Sequence, residues 1–230
     1  MHSKNTKGFF VTGTDTGIGK TLVTRTLIVK LQQQGFKALG CKPLACGIND
    51  LGENEDVATY QTINSCPLAK EKINPICLDL PVSPNIAAKA ANFDLQLATF
   101  IPTLKSVMSM SVDYIFYEGV GGWKVPINET ETLADLARAL DLPILLIIGL
   151  RVGCLNHALL TYEAISRDNL RIAGWIGNVI EKNMPALDQH INTLSEKMAA
   201  PYLGTVPYLQ NPNDSHLFFN IAPFLEIKPK

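Results

Sequence analysis

Thr12-Gly13-Thr14-Asp15-Thr16-Gly17-Ile18-Gly19-Lys20-Thr21 is the stretch whose reading decides the fold. It follows the apolar run Gly8-Phe9-Phe10-Val11 and leads directly into Leu22-Val23-Thr24-Arg25-Thr26-Leu27-Ile28-Val29-Lys30-Leu31. The order is strand, glycine loop, helix. Such a loop holds nucleotide phosphates. Glycines clear side chains from the path of converging backbone N–H groups, and the helix N-terminus adds partial positive charge. Lys20 is placed to reach the β- and γ-phosphates, and the Thr21 hydroxyl to bind Mg²⁺.

The loop departs from the usual P-loop spacing at one point. The first glycine is expected five residues before the second. Thr14 stands there, with Gly13 one residue earlier, and Gly17 and Gly19 flank the turn.

Outward from this loop, strand-like and helical runs alternate. Residues 36–43 read as a second strand, and a polar loop over 49–54 opens a helix near 55–64. Four prolines (Pro67, Pro75, Pro81 and Pro84) mark 67–85 as mostly irregular. Helices are predicted over 85–91, 94–108, 132–140, 155–168 and 185–199. Strands are predicted over 113–118, 143–149, 171–179 and 202–207. The run at 143–149 is apolar on both faces, as a central parallel strand requires. Alternation of this kind predicts an α/β fold: P-loop NTPase-like, three-layer α/β/α, with a mostly parallel central sheet. Ligands then sit beyond the carboxyl ends of the strands. No repeat, linker or low-complexity tract divides the chain, so one domain over 1–230 is expected.

Composition sets bounds on function. Length is 230 residues, 47% hydrophobic and 18% charged, with a formal net charge of −1. A chain of this size buries roughly 70–75% of its unfolded surface. Near-neutral charge gives no general attraction to nucleic acid or to an anionic membrane. The five cysteines, Cys41, Cys46, Cys66, Cys77 and Cys154, are odd in number and form no Cys-x-x-Cys pair. A disulfide framework or zinc knuckle is not expected. Residues 1–7 lack the apolar region of a signal peptide, and the longest apolar run, 142–150, is too short to span a bilayer. The expectation is a reduced, cytoplasmic protein.

Three further side chains carry candidate chemistry. Glu118 closes an apolar strand before Gly119-Val120-Gly121-Gly122. A carboxylate there reads as a Mg²⁺ ligand, since Mg²⁺ prefers hard oxygens, or as a cap of the turn. Asp56 reads as a second ligand or as a helix N-terminal charge. Lys42 follows a strand and is kept extended by Pro43. It reads as a cation on the strand ends or as a solvated surface lysine.

Taken together the segments resemble the dethiobiotin synthetase family. The matching residues are Phe10-Val11-Thr12-Gly13-Thr14-Asp15-Thr16 with Gly19-Lys20-Thr21; Lys42-Pro43-Leu44-Ala45; Tyr117-Glu118-Gly119-Val120-Gly121-Gly122-Trp123; Gly153-Cys154-Leu155-Asn156-His157-Ala158; and Gly174-Trp175-Ile176-Gly177-Asn178. The resemblance implies an ATP-dependent ligase that joins diaminopelargonic acid and CO₂ (or bicarbonate) through a carbamate and a mixed anhydride. It implies Lys20 and Lys42 as the catalytic cations and Thr21, Asp56 and Glu118 as the Mg²⁺ set. ATP is expected against Gly17, Ile18, Gly19, Lys20, Thr21, Leu22 and Asp56, and against Glu118, Gly119, Val120 and Gly121. Asn178 corresponds to the adenine-reading amide, whose donor and acceptor suit a purine edge. Val206, Pro207 and Tyr208 are expected beside the base. Lys42 and Cys46 are expected at the substrate. Gly153, Cys154, Leu155 and Asn156 are expected to hold its far carboxylate from a partner subunit, so a homodimer is implied.

The chain differs from the family's pattern at Cys46, where a hydroxyl is common. It differs also at Asn85, where some relatives have histidine, and in lacking a ribose-side glutamate within 207–212. Trp123 and Trp175 read as packing residues and His157 as structural. The partition and septum-positioning ATPases share the deviant loop and are the alternative. They carry an early second lysine where this chain has Asp15, and a terminal amphipathic helix that it lacks. A cobyrinate-type synthase would need a further glutaminase domain.

Overall fold

The computed structural model describes residues 6–227. Its first strand, β1 (Lys7–Gly13), sends alternate side chains to opposite faces, as a pleated strand must. Phe10 enters one apolar cluster, while Phe9 and Val11 enter another. A strand buried on both faces needs helices above and below it.

The remaining strands of the main sheet are β2 (Ala38–Cys41), β5 (Tyr114–Glu118), β6 (Ile144–Leu150), β7 (Ile172–Val179) and β8 (Tyr202–Val206). Two short strands, β3 (Leu44–Cys46) and β4 (Ile76–Leu78), form a separate parallel pair. The main sheet runs β2-β5-β1-β6-β7-β8, and every pairing in it is parallel. β1 therefore lies between β5 and β6, so the chain's order reverses beside it and a crevice opens at its carboxyl end.

One helical layer contains α4 (Pro84–Ala90), α5 (Leu97–Met108), α6 (Leu133–Leu140), α7 (Cys154–Arg167) and α8 (Leu187–Lys197). The opposite layer contains α1 (Lys20–Gln33), α2 (Glu55–Ile63) and α10 (Ala222–Leu225). The fold is a three-layer P-loop NTPase-like α/β/α arrangement. Local signals explain several boundaries. Thr132 and Asp135 form a reciprocal capping box on α6, whose Leu133, Leu136, Ala137 and Leu140 are buried. Asn54 caps α2 by accepting from Val57 N, and its Nδ2 donates to Gly47 O at 2.7 Å.

Residues 44–46 form β3, a strand not expected from sequence, and two longer regions also differ from the expectation. Residues 67–85 are more regular than their prolines suggest, containing α3 (Lys70–Ile73) and β4. The prolines bound these elements rather than interrupt them: Pro75 precedes β4, Pro81 follows it and Pro84 opens α4. Asn74 then fastens the segment, donating to both Lys42 O and Ile76 O at 2.7 Å. The second region is the end of the chain, where α9 (Ser215–Phe218) and α10 were not expected. Helices of four residues are not stable alone. Contacts distant in sequence hold these two. Ser215 Oγ lies 2.5 Å from Thr26 Oγ1 on α1, and the Phe224 ring sits 5.3–5.9 Å from those of Phe9, Tyr114 and Phe116.

Among the described residues no helix is long and apolar enough to cross a membrane. The reading of residues 1–7 as carrying no leader rests mostly on 1–5, which lie outside the described residues.

Candidate active site

The loop between β1 and α1 turns at Gly17 and Gly19, both at positive φ (+70° and +84°). Glycine is required at the second on two counts. The left-handed backbone disfavours any Cβ, and a Cβ on Gly19 would lie 2.3 Å from Nδ2 of Asn178. That amide donates to Ile18 O at 2.7 Å, which ties the end of β7 to the loop. Gly19→Ala is expected to add left-handed strain and break this tie. The loop's N–H groups then lose their convergence, weakening nucleotide binding on the order of 10²-fold. Calorimetric titration with ATP checks this, and an unchanged affinity would contradict it.

Lys20 is buried, and its Nζ donates to Asp15 O at 2.8 Å across the loop. Burial, with the neighbouring Lys42 charge, lowers its pKa to about 8 from 10.5; Glu118 and Asp56 oppose the shift. The ammonium is thus held poorly solvated beside a site for anions.

Below it lies a group of oxygens. Thr21 Oγ1 is 2.6 Å from Asp56 Oδ1 and 2.8 Å from Glu118 Oε1. A hydroxyl carries one proton, so it can donate fully to only one of these carboxylates. Its lone pairs and the two carboxylates together make a hard-oxygen donor set of the kind Mg²⁺ takes. Lys42 Nζ lies 2.6 Å from both Asp56 Oδ2 and Glu118 Oε1, and 3.4 Å from Gly119 O. Burial by itself would lower the Lys42 pKa, but the two carboxylates outweigh it and the net shift is upward. Burial would likewise raise Asp56, and Lys42 more than reverses it. Of the alternatives open for Lys42, the structure rejects the surface lysine: the side chain is 5% exposed.

These groups border a cleft of about 360 Å³ that also takes in Thr16, Gly17, Cys46, Val120 and Gly121. Cys46, on β3, has its thiol pushed up to about 11, chiefly by burial, so it stays protonated at neutral pH and offers only a weak donor. A second recess of about 260 Å³ adjoins it through Gly17 and Gly19. Leu22, Asn178, Pro207 and Tyr208 line that recess, with Ile180 and Leu209.

Comparison with known proteins shows the family. Residues 7–214 match the family described as AAA domain. The ATP-dependent dethiobiotin synthetase BioD of Cellvibrio japonicus is 41% identical over 206 residues, covering 88% of this chain and 90% of that protein. The chain belongs to the dethiobiotin synthetase family. The BioD of Ralstonia nicotianae is 43% identical over 223 residues, with 94% and 96% covered. Solved structures are similar to this fold as well. The MinC:MinD cell division complex of Aquifex aeolicus gives a TM-score of 0.54 at 16% identity, covering 91% of this chain and 85% of that one. A ParA family ATPase from Chlorobium tepidum gives 0.53 at 14%, covering 96% and 93%. At such identities the likeness shows the fold alone. The protein is a ligase-class enzyme of biotin biosynthesis, as its family membership establishes.

In this chain, not every expected residue borders the cleft. Val206 is fully buried at the end of β8, its side chain in the core rather than in the second recess. Ile18 is also a core side chain; only its carbonyl faces Asn178. Gly153, Cys154, Leu155 and Asn156 begin α7 and border neither recess of their own chain. Gly153 and Asn156 are exposed, while the Cys154 side chain is buried. Trp123 and Trp175 are buried. Trp123 packs edge-on against Phe10, and its Nε1 donates to Asp168 Oδ2 at 2.7 Å. Sequence reasoning missed Asn54, Tyr60 and Arg151. Arg151 reaches Asp15 Oδ2 at 3.3 Å, linking the end of β6 to the loop. The four-residue spacing of Asp56 and Tyr60 on a helix was the available signal for Tyr60.

Proposed function

We propose that residues 1–230 form one domain that converts diaminopelargonic acid, CO₂ and ATP to dethiobiotin, ADP and phosphate. The observation that carries the reading is the meeting of Lys20, Lys42, Thr21, Asp56 and Glu118 in one cleft, two cations and three oxygen-bearing side chains from four separate parts of the chain. Such a site suits transfer of a phosphoryl group to an anionic acceptor.

ATP lies with its phosphates along Gly17, Gly19 and Lys20 and its base between Leu22, Asn178, Pro207 and Tyr208. The N–H groups at the start of α1 and the Lys20 ammonium face the γ-phosphate. Thr21, Asp56 and Glu118 would hold Mg²⁺, which would supply neutralisation of phosphate charge when bound.

One substrate amine adds to CO₂ and releases a proton, giving a carbamate. Lys42 faces that carboxylate and holds it in line with the γ-phosphorus. A carbamate oxygen attacks, the bond to the ADP oxygen breaks, and a carbamic–phosphoric mixed anhydride results. The second amine attacks the carbonyl carbon. The C–O bond to phosphate breaks, the amine loses its proton and the cyclic urea closes. Positioning contributes most of the rate: it holds the carbamate against the γ-phosphate, a step otherwise bimolecular, and the second amine against its own carbonyl carbon. Gly153, Cys154, Leu155 and Asn156 serve the cleft of a second copy in a homodimer, with the N-terminus of α7 facing the substrate's far carboxylate. A cytoplasmic location goes with this reading.

Incubation with Mg·ATP, bicarbonate and diaminopelargonate tests it. Dethiobiotin is expected by mass spectrometry, with ADP release dependent on both co-substrates. ADP release indifferent to them would point instead to a switch ATPase.

A further inference from the structure

Tyr60 lies outside the set of residues so far given a chemical task, yet its position is demanding. The ring is fully buried on α2, and its phenol donates to Glu118 Oε2. Glu118 is itself fully buried at the end of β5. Its other oxygen, Oε1, is the one near Thr21 and Lys42, at 2.8 and 2.6 Å. The terminal torsion of a glutamate has no sharp staggered preference, so the carboxylate plane must be set by its partners.

The surroundings keep the phenol in place. Tyr60 crosses β2 at Gly40, where a Cβ would lie 2.2 Å from the ring. Only a residue without a side chain leaves room for it there. Gly40 is in turn bonded to Asn64 at the end of α2, with Gly40 N donating to Asn64 Oδ1 at 2.6 Å and Asn64 Nδ2 to Gly40 O at 3.1 Å. The other end of α2 is fastened by Asn54. Asp56 and Tyr60, four apart, project from one face of this clamped helix. One helix thus delivers a carboxylate and a phenol to the same cluster.

We propose that Tyr60 is a positioning residue that fixes the rotation of the Glu118 carboxylate, committing Oε2 to the phenol and leaving Oε1 for the divalent cation and Lys42. The inference rests on the reading of Glu118 as a ligand to that cation. Partners of this kind that orient a metal ligand affect metal affinity about 10- to 100-fold when removed.

The test compares wild type, Tyr60→Phe and Glu118→Gln, each saturated with ADP. Mn²⁺ is titrated in and followed by loss of the free-ion EPR signal, with ADP alone as blank. Thermal midpoints are read without divalent ion. Tyr60→Phe retains the ring and removes only the oxygen. It is expected to weaken Mn²⁺ binding about tenfold and to raise the Mg²⁺ concentration for half-maximal ADP release in parallel. Saturating Mg²⁺ should restore kcat, a split that lost packing would not give. Wild-type Mn²⁺ affinity in Tyr60→Phe, with Glu118→Gln impaired, overturns the role of Tyr60 alone. Wild-type Mn²⁺ affinity in Glu118→Gln overturns both it and the underlying reading of Glu118.

Discussion

Lys20→Ala is expected to lower ATP turnover on the order of 10³-fold or more while leaving the fold at least as stable as before. The two halves of this expectation share a cause. Lys20 is buried beside Lys42, and its pKa falls to about 8 because burial and that second cation both disfavour the charged form. An ammonium in such a place is a strain on the empty protein and an asset to a bound triphosphate. Its folded-state pKa lies below its ordinary 10.5, so the folded protein binds fewer protons than the unfolded chain above about pH 8. The penalty is therefore present in full below pH 8 and is relieved as pH rises toward 10.5. Lys20→Ala should flatten this dependence. ADP release, measured with bicarbonate and diaminopelargonate present, checks the first half, and melting curves at pH 7 and 9 check the second. Turnover at the wild-type rate would remove Lys20 from the phosphate site.

Lys42→Ala should behave in the opposite way toward stability. Lys42 is the cation between two carboxylates, one of them, Glu118, with a side chain only 1% exposed. Its removal leaves Glu118 and Asp56 without the cation between them. Breaking a buried pair from one side costs about 3–5 kcal/mol, equivalent to a drop in Tm of roughly 10 °C for a chain of this length. Ring formation should fall on the order of 10²–10³-fold, because the carbamate loses its counter-charge. Nucleotide binding should be spared, since the Lys42 ammonium bonds to Asp56, Glu118 and Gly119 O rather than to the loop.

The pH dependence follows from the direction of each shift. Asp56 is held below its ordinary 3.8, so its pairing contributes stability above that value, lost as pH falls through the folded one. Lys42 is held above 10.5, so its contribution is complete below that value and lost as pH rises through the folded one. The difference in Tm between wild type and Lys42→Ala should be broad and flat at neutral pH and narrow at both extremes. Added Mg²⁺ should recover part of the lost Tm by neutralising the same carboxylates. A variant with wild-type Tm and wild-type dethiobiotin yield would show Lys42 to be neither structural nor catalytic.

The cysteine at position 46 fits this electrostatic picture. Its thiol is half-buried and kept neutral, so it adds little polarity near Lys42. The cleft's charge is thus concentrated on the lysines and carboxylates.

Much of the molecule was legible before any coordinates. The loop over 12–21 determined strand, turn and helix in one reading, because glycine spacing and a following Lys-Thr are local properties of the chain. The doubly apolar run in β6 and the carboxylate ending β5 were equally plain, since burial on two faces and an abrupt end at glycine are written residue by residue. The family was legible in the same way, as a string of short segments in fixed order.

Other features belong to tertiary structure alone. The β3–β4 pair, α9 and α10 are too short to announce themselves by periodicity and exist only through partners such as Asn74, Thr26 and the ring cluster around Phe224. Whether Lys42 was a surface cation or a buried one was decided by the meeting of β2, α2 and β5. The packing of β8, which sequence could not show, turns the Val206 side chain into the core. Tyr60 was invisible as a functional residue because its task depends on Glu118, fifty-eight positions away, and on the gap left by Gly40. Backbone propensity is local and so can be read along a chain. A charge's neighbours, and therefore its protonation and its use, are set only when distant segments close around it.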